Sequence, residues 1–143
     1  MAYFRIAAAA LGQGKFTLFG DGSIKKDFTY IDDVVQNTID LLMDLTRQDE
    51  NFNDIVNIDG SRPLEMNYLI DLSSKKGDRT MEVTRIEEIN LDSRVTMPDN
   101  SYLKSILGEL KFTDLSEGIE NLMEWASQED IKSSLTNWIK GTV

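Results

Sequence analysis

The strongest pattern in the sequence is a set of residues between positions 33 and 45 that recur at helical spacing. They are Val34, Val35, Thr38, Ile39, Leu41, Leu42 and Leu45. A helix with so wide an apolar face is expected to be buried on more than one side. The two carboxylates before it, Asp32 and Asp33, are the expected cap of its first turn. The fold must therefore supply neighbours around most of this helix.

Shorter segments of both structural types flank the helix. Helices are predicted at 2–11, from Pro63 onward, at about 100–107, at 114–125 and at 127–140, and strands at 16–19, 26–31, 55–58 and 80–86. The first two strands enclose a Gly/Asp turn at 20–23, which is typical of a hairpin or a related strand–turn–strand unit. No linker or repeat divides the chain. The sequence therefore predicts one mixed α/β domain over residues 1–143.

The residue inventory excludes several kinds of chemistry. With no His and no Cys, the chain cannot form Ser-His-Asp triads, Cys-His pairs, disulfides, or His- or Cys-based zinc sites. Its nine Gly residues match neither the dinucleotide-binding pattern nor the P-loop. A net charge of −10 argues against nucleic acid as a partner, although one or two local cations suffice for a small anion. With no long apolar run and no charged leader, neither a membrane partner nor a secretory signal is expected.

One long segment carries a more specific signature. Residues 16–35 read Phe-Thr-Leu-Phe-Gly-Asp-Gly-Ser-Ile-Lys-Lys-Asp-Phe-Thr-Tyr-Ile-Asp-Asp-Val-Val. This segment resembles the NAD-dependent epimerase/dehydratase family, the nucleotide-sugar enzymes among the extended short-chain dehydrogenases/reductases. Further family-like segments follow in the family's order at 56–60, 63–65, 92–94, 99–101, 107–108 and 117–119, with Trp125. The resemblance covers nearly the whole chain.

The resemblance implies the C-terminal, substrate-binding portion of such an enzyme, without the N-terminal Rossmann half. The family's glycine-rich NAD motif is absent, and so is its Tyr-x-x-x-Lys motif. Four residues after the four tyrosines stand Ala7, Val34, Leu72 and Ile106. We therefore expect no catalytic, cofactor-binding or metal-binding residue in this chain, with NAD bound only in the full-length parent. The chain is expected to be a fragment that is inactive alone.

Three functions are compatible with these observations. The leading hypothesis is the nucleotide-sugar-binding portion of an NAD-dependent 4-epimerase, not catalytic in isolation. A fragment of a 4,6-dehydratase is the close alternative, because the residues that separate the two reactions lie mostly in the missing half. A stand-alone, non-enzymatic binding or interaction module is the third.

By resemblance, five residues are expected to contact the substrate, a nucleotide-sugar such as a UDP-sugar. They are Thr17, Phe19, Lys26, Asp92 and Arg94. Thr17 and Phe19 would lie along the base, although Phe19 is equally compatible with core packing. Asp92 would face the ribose hydroxyls, and Arg94 a phosphate. Without the resemblance, Arg94 would be interpreted as an ordinary surface charge.

The phosphate-binding part departs from the family at two positions. Lys26 stands where the family usually has an Arg that binds the pyrophosphate, and an ammonium cannot make the planar two-point contact of a guanidinium. The family often has a further Arg three residues before the Asp92 position, where this chain has Ile89. Either that cation is absent from the site or Arg85 or Arg94 supplies it.

The resemblance also bears on assembly. The helix at 33–45 and the strand at 55–58 would pack against the missing half, so in an isolated chain they would expose apolar surface. Such a surface favours self-association, and a homo-oligomer is expected. The absence of Cys fits a cytoplasmic location.

Overall fold

The structure of the chain is a computed structural model, and its described part contains six helices and four short strands. It describes residues 2–47, 53–60, 62–77, 80–87 and 93–140, with only the backbone at 138–140. The elements are α1 (Ala2–Ala10), β1 (Phe16–Phe19), β2 (Lys25–Lys26), α2 (Ile31–Leu45), β3 (Leu64–Glu65), α3 (Met66–Lys76), β4 (Val83–Ile86), α4 (Ser101–Leu107), α5 (Leu115–Ser127) and α6 (Glu129–Lys140). The predicted mixed α/β class is confirmed.

The core is built around α1, whose second half consists of alanines. Ile6 and the alanines at 7–10 are all buried, and the helix packs against α3, α5 and α6. A Cβ atom at Gly77 would lie 2.6 Å from the carbonyl oxygen of Ala10, so the end of α3 reaches the backbone of α1. The other buried members of this cluster are Phe16, Leu18, Leu69, Ile70, Met81, Ile119, Met123, Ala126 and Leu135.

The hairpin alternative is wrong, because β1 and β2 belong to different sheets, and the segment is a strand–turn–strand unit instead. The strand predicted at 26–31 is also wrong in extent, because β2 is only Lys25–Lys26 and Ile31 already begins α2. β1 pairs in parallel with β4, with Phe16 opposite Val83. β2 pairs antiparallel with β3, with Lys26 opposite Leu64. A parallel partner comes from a distant part of the chain. The local Gly/Asp turn at 20–23 therefore does not indicate which strand pairs with β1.

α2 forms where its periodicity predicts, but its burial differs from the prediction. Asn37 is its buried residue, and the outer face of the helix is open. The large apolar side chains at least 38% exposed on it are Ile31, Val35, Ile39, Leu42, Met43 and Leu45. Within the described residues, this helix is covered on one side rather than on several.

The expected Asp cap of α2 is also wrong. Tyr30 occupies the N-cap position and makes no side-chain cap bond, while Asp32 and Asp33 lie in the first turn. The Asp33 carboxylate instead accepts hydrogen bonds from the backbone N–H (2.8 Å) and the hydroxyl (2.9 Å) of Thr113. The two carboxylates still lie at the positive end of the helix, where negative charge is stabilising.

The connection between α2 and α3 differs from expectation as well. Residues 53–60 form no strand, and Ile55 is 87% exposed. The predicted strand at 55–58 is wrong because a strand needs a backbone partner, and no described segment pairs with it. α3 begins at Met66 rather than at Pro63, since Leu64–Glu65 first form β3.

The C-terminal helices and β4 agree with the predicted elements within a few residues. α4 ends at Gly108, whose φ of 80° lies in the left-handed region. The Asp114 side chain caps α5 by accepting from the Ser116 N–H at 2.8 Å. Trp125 is 39% exposed and stacks at a tilt against Phe4. The side chain of Trp138 lies outside the described residues.

Candidate functional site

β1 presents two of the predicted site residues to the outside. Side chains alternate along the strand, so Phe16 and Leu18 enter the core while Thr17 and Phe19 face outward. Phe19 is 43% exposed, which does not fit the core-packing alternative. Its partner in the register is Ile86, so an exposed apolar edge continues onto β4.

The free edge of β1 carries backbone groups as well as side chains. The Phe16 and Gly20 N–H groups donate to Glu82 and Ile86 of the neighbouring strand segment at 2.8 and 2.9 Å. In a parallel pair, every second residue directs its N–H and C=O to the neighbour, so Thr17 and Phe19 direct theirs to the other side. No described strand lies on that side. These groups can accept and donate hydrogen bonds to a planar ligand.

The two predicted phosphate ligands are brought together by the segment at 93–96. The Lys25 N–H donates to the Arg94 carbonyl at 2.9 Å, and the Lys25 carbonyl accepts from Thr96 at 3.1 Å. Lys25 is therefore in register with Val95, and the alternation of side chains places Lys26 and Arg94 on one face. The Lys26 ammonium donates to the Ser93 carbonyl at 2.7 Å.

The turn at 20–23 joins this pair to β1 through contacts that the sequence analysis missed. The Arg85 guanidinium donates to the Asp21 carbonyl at 2.7 Å and to the Asn67 side-chain oxygen at 3.2 Å. The Asn67 amide donates to the same Asp21 carbonyl at 2.9 Å. The sequence offers Arg85 as a possible extra cation, whereas nothing in it points to Asn67. Both side chains hold the turn rather than reach into open space.

The Asp21 carboxylate is held in its charged form. Hydrogen bonds from the Ser23 hydroxyl (2.6 Å) and backbone N–H (2.8 Å) lower the pKa of Asp21, and the nearby charge of Arg94 acts in the same direction. Because this carboxylate lies close to Arg94, it offsets part of the positive charge available to an anion.

Asp92, the expected ribose ligand, and Ile89 lie outside the described residues. Neither of the two described cavities is lined by Thr17, Phe19, Lys26 or Arg94. The described site residues therefore lie on an open surface rather than in an enclosed cavity, and such a surface can form one wall of a cleft.

The larger cavity, of about 650 Å³, lies elsewhere. It opens between α1, the segment at 27–31 and α5, and aromatic side chains such as Tyr3, Phe28, Tyr30 and Trp125 contribute to its wall. Its described lining has no Lys or Arg. A diphosphate needs cationic or N–H partners, so this cavity does not suit one.

In the part of the chain that the structure describes, no group of three or more His, Cys, Asp or Glu side chains is placed to hold a metal ion. No described helix is both long and apolar enough to cross a membrane.

Comparisons with known proteins agree with the signature at 16–35. No protein-family model matches the chain. The UDP-glucuronate 4-epimerase of Thermodesulfobacterium geofontis is 28% identical over 133 residues, which cover 92% of this chain and 39% of that enzyme. A solved UDP-glucuronic acid 4-epimerase from Bacillus cereus, in complex with UDP-glucuronic acid and NAD, superposes with a TM-score of 0.75 at 25% identity. The match covers 87% of this chain and 39% of that one.

The chain is a relative of the NAD-dependent epimerase/dehydratases. A solved NAD-dependent NDP-hexosamine 5,6-dehydratase, 24% identical, has the same fold over 92% of this chain and 41% of its own, with a TM-score of 0.75. The chain thus spans about 39% of the curated epimerase and of the B. cereus structure. That share fits the C-terminal portion of an epimerase/dehydratase, the part that the sequence predicted.

Proposed function

We propose that this chain is the sugar-nucleotide-binding portion of an NAD-dependent nucleotide-sugar 4-epimerase, an isomerase, and that it does not catalyse the reaction alone. The observation that carries the proposal is the contact between β2 and the segment at 93–96. It places Lys26 and Arg94 on one face, although 68 positions separate them in the sequence. Two cations on one face are what a diphosphate requires, even on a chain whose net charge is −10.

The base of the nucleotide lies along β1 in this proposal. The outward backbone groups of Thr17 and Phe19 hydrogen-bond the base, and the exposed Phe19 ring packs against its face. Asp92 contacts the ribose, as the resemblance implies. Because one wall of the cleft is absent, little of the ligand is enclosed and binding is weak.

A UDP-sugar is the substrate class we propose. The matched epimerases from T. geofontis and B. cereus act on or bind UDP-glucuronic acid by name, which supports a uridine diphosphate handle. In such a reaction, binding of the nucleotide diphosphate orients the sugar, although the diphosphate lies away from the reacting carbon. A 4,6-dehydratase parent is the alternative, since the fold does not separate the two activities: a solved 5,6-dehydratase and the B. cereus epimerase both superpose with a TM-score of 0.75.

Calorimetric titration of the 143-residue chain with UDP, UMP and UDP-glucuronic acid tests the proposal. We expect UDP and UDP-glucuronic acid to bind more tightly than UMP, because UMP lacks the second phosphate that Lys26 and Arg94 would share. Affinity should fall as ionic strength rises, since both cations are near the surface. Absence of binding by all three nucleotides would refute the proposed site.

Four variants sharpen this test. Lys26→Ala and Arg94→Ala should each weaken UDP binding by about 10-fold, the loss of one charge-assisted contact of ~1.4 kcal/mol. Lys75→Ala removes an exposed cation on α3 and should leave the affinity unchanged. Lys26→Arg should bind UDP more tightly than the natural chain, because the guanidinium restores a two-point contact.

A stand-alone interaction module is the second candidate, and the open apolar face of α2 favours it. The two candidates differ in one observable property. An interaction module would self-associate or capture a partner without any affinity for UDP, whereas the substrate-binding portion binds UDP.

A further inference from the structure

We propose that Asn67 and Arg85 are positioning residues of the nucleotide-binding surface and do not contact the nucleotide themselves. They fix the turn at 20–23, which joins the base-binding strand β1 to the diphosphate-binding strand β2. In this way they hold the base site and the phosphate site at one separation, so that a single UDP molecule reaches both. This role rests on the proposed function, because it concerns the two parts of that site.

The two parts of the site belong to different sheets. β1, with the outward groups of Thr17 and Phe19, pairs with β4. β2, with Lys26, pairs with β3, and α3 follows β3 directly. Strand pairing therefore does not fix the distance between β1 and β2. Along the chain they are joined through residues 20–24, and a mobile turn there would let the two sites shift relative to each other.

Arg85 and Asn67 reach the turn from the two sides of this division. Arg85 lies on β4, in register with Leu18 of β1, and Asn67 is the second residue of α3. Both side chains donate to one atom, the Asp21 carbonyl oxygen, at 2.7 Å from Arg85 and 2.9 Å from Asn67. The Arg85 guanidinium also donates to the Asn67 side-chain oxygen at 3.2 Å. These three hydrogen bonds connect β4, the turn and α3.

The backbone of α3 supports the same turn. The Met66 N–H donates to the Ile24 carbonyl at 3.0 Å, and the Asn67 N–H donates to the Gly22 carbonyl at 3.1 Å. The first N–H groups of a helix have no acceptor within the helix, so the turn satisfies two of them. Because these bonds do not involve the Asn67 side chain, α3 should form in variants of this residue.

This arrangement gives Arg85 a role other than that of a phosphate ligand. Its guanidinium is held at the Asp21 carbonyl by a charge-assisted hydrogen bond, which is stronger than a bond between neutral groups. The diphosphate is then met by Lys26 and Arg94. Arg85 acts on the nucleotide only through the turn.

A ligand that spans two sites benefits from a fixed separation between them. Uridine and pyrophosphate, bound separately, each meet one site, and the separation does not affect them. UDP must meet both sites at once, so its additional affinity depends on how firmly the separation is held. Loss of Asn67 or Arg85 should therefore weaken the binding of UDP but not of its two parts.

NMR titrations of the 143-residue chain with uridine, pyrophosphate and UDP at physiological ionic strength test this role. Asn67→Ala and Arg85→Ala should each weaken UDP binding by roughly 3- to 10-fold, and change the dissociation constants of uridine and pyrophosphate by less than about 2-fold. Arg85→Lys should recover part of the loss, because an ammonium can still donate to the Asp21 carbonyl. Asn121→Ala is the matched control, since its amide binds the Tyr30 hydroxyl and not this turn. Far-UV circular dichroism establishes that the variants fold.

Two results would overturn the positioning role and leave the nucleotide site in place. One is an unchanged UDP affinity in Asn67→Ala and Arg85→Ala. The other is a loss of affinity for uridine or pyrophosphate as large as the loss for UDP, which would indicate a direct contact or a general disruption. If the natural chain binds none of the three ligands, the proposed function fails and the positioning role fails with it.

Discussion

Asp33 accepts two hydrogen bonds from Thr113, a residue eighty positions away, and so ties the first turn of α2 to the loop before α5. The side chains of both residues are partly buried. This contact fixes the direction in which α2 leaves the core. It therefore also determines where the exposed apolar face of the helix lies.

Replacement of Asp33 by Ala should destabilise the fold by about 1–3 kcal/mol, because the Thr113 hydroxyl and N–H lose their charged acceptor. Urea unfolding measures the change. Thr113→Val removes only the hydroxyl bond and should cost less. In the double variant the two losses should not add, since they share one interaction. Strict additivity would mean that the two side chains do not interact in solution.

Asp27 is expected to be a stability determinant rather than a ligand. Its carboxylate accepts from the N–H groups of Gly60 (3.2 Å) and Arg62 (3.1 Å) and from the Thr29 hydroxyl (3.0 Å). Asp27→Asn cannot accept from both N–H groups and should lower the unfolding free energy by about 1–3 kcal/mol. Asp71→Asn, at an exposed position of α3, should change it by less than about 0.5 kcal/mol.

Gly22 should tolerate substitution less well than Gly14. Both have positive φ, 83° and 133°, so Ala at either position costs about 1–3 kcal/mol in backbone strain. At Gly22 a Cβ atom would also collide with the Asn67 amide, whereas nothing lies within 4 Å of a Cβ at Gly14.

Thermal unfolding should therefore rank Gly22→Ala below Gly14→Ala in stability. Because Asn67 holds the Asp21 carbonyl, UDP affinity should also fall in Gly22→Ala and not in Gly14→Ala. Equal stability of the two variants would contradict the close packing at Gly22.

The Asp54–Tyr102 pair predicts a defined pH dependence. A hydrogen bond to the Asp54 carboxylate raises the pKa of Tyr102 above its usual value of about 10, and the same bond lowers the pKa of Asp54. The stability from Tyr102 is therefore present below pH 10 and lost as pH rises through its folded pKa. The stability from Asp54 is present above its unfolded pKa of about 4 and lost as pH falls through the folded one.

Ultraviolet titration of the phenolate tests this relationship. Asp54→Asn should move the pKa of Tyr102 back toward 10, and Tyr102→Phe identifies its part of the signal. Asp71→Asn should leave the titration unchanged. A Tyr102 pKa that does not respond to Asp54→Asn would contradict the hydrogen bond.

Sequence reasoning was accurate where the information is local. The helical period of 33–45, the alanines of α1 and the glycine after Leu107 each specify an element through nearby residues. It was wrong for the hairpin and for the strand at 55–58. The strand that pairs with β1 is the remote β4, and no described segment pairs with residues 55–58.

The candidate site divides along the same line. The signature at 16–35 identified Thr17, Phe19 and Lys26, and their roles remain predictions. That Lys26 and Arg94 share a face depends on the register between Lys25 and Val95, which no local pattern encodes. The support from Asn67 and Arg85 depends on where α3 and β4 meet the turn at 20–23.

By itself, the sequence determined the mixed α/β class, the helices and the family relationship. The spacing of apolar residues and the order of the family-like segments can be read along the chain without knowing which residues are in contact. It also determined that no His or Cys chemistry is possible. Only the tertiary structure decided that β1 pairs with β4, that Asp33 binds Thr113 and that the outer face of α2 stays open. Those outcomes depend on backbone and side-chain partners tens of residues away, whose choice is set by packing of the whole chain.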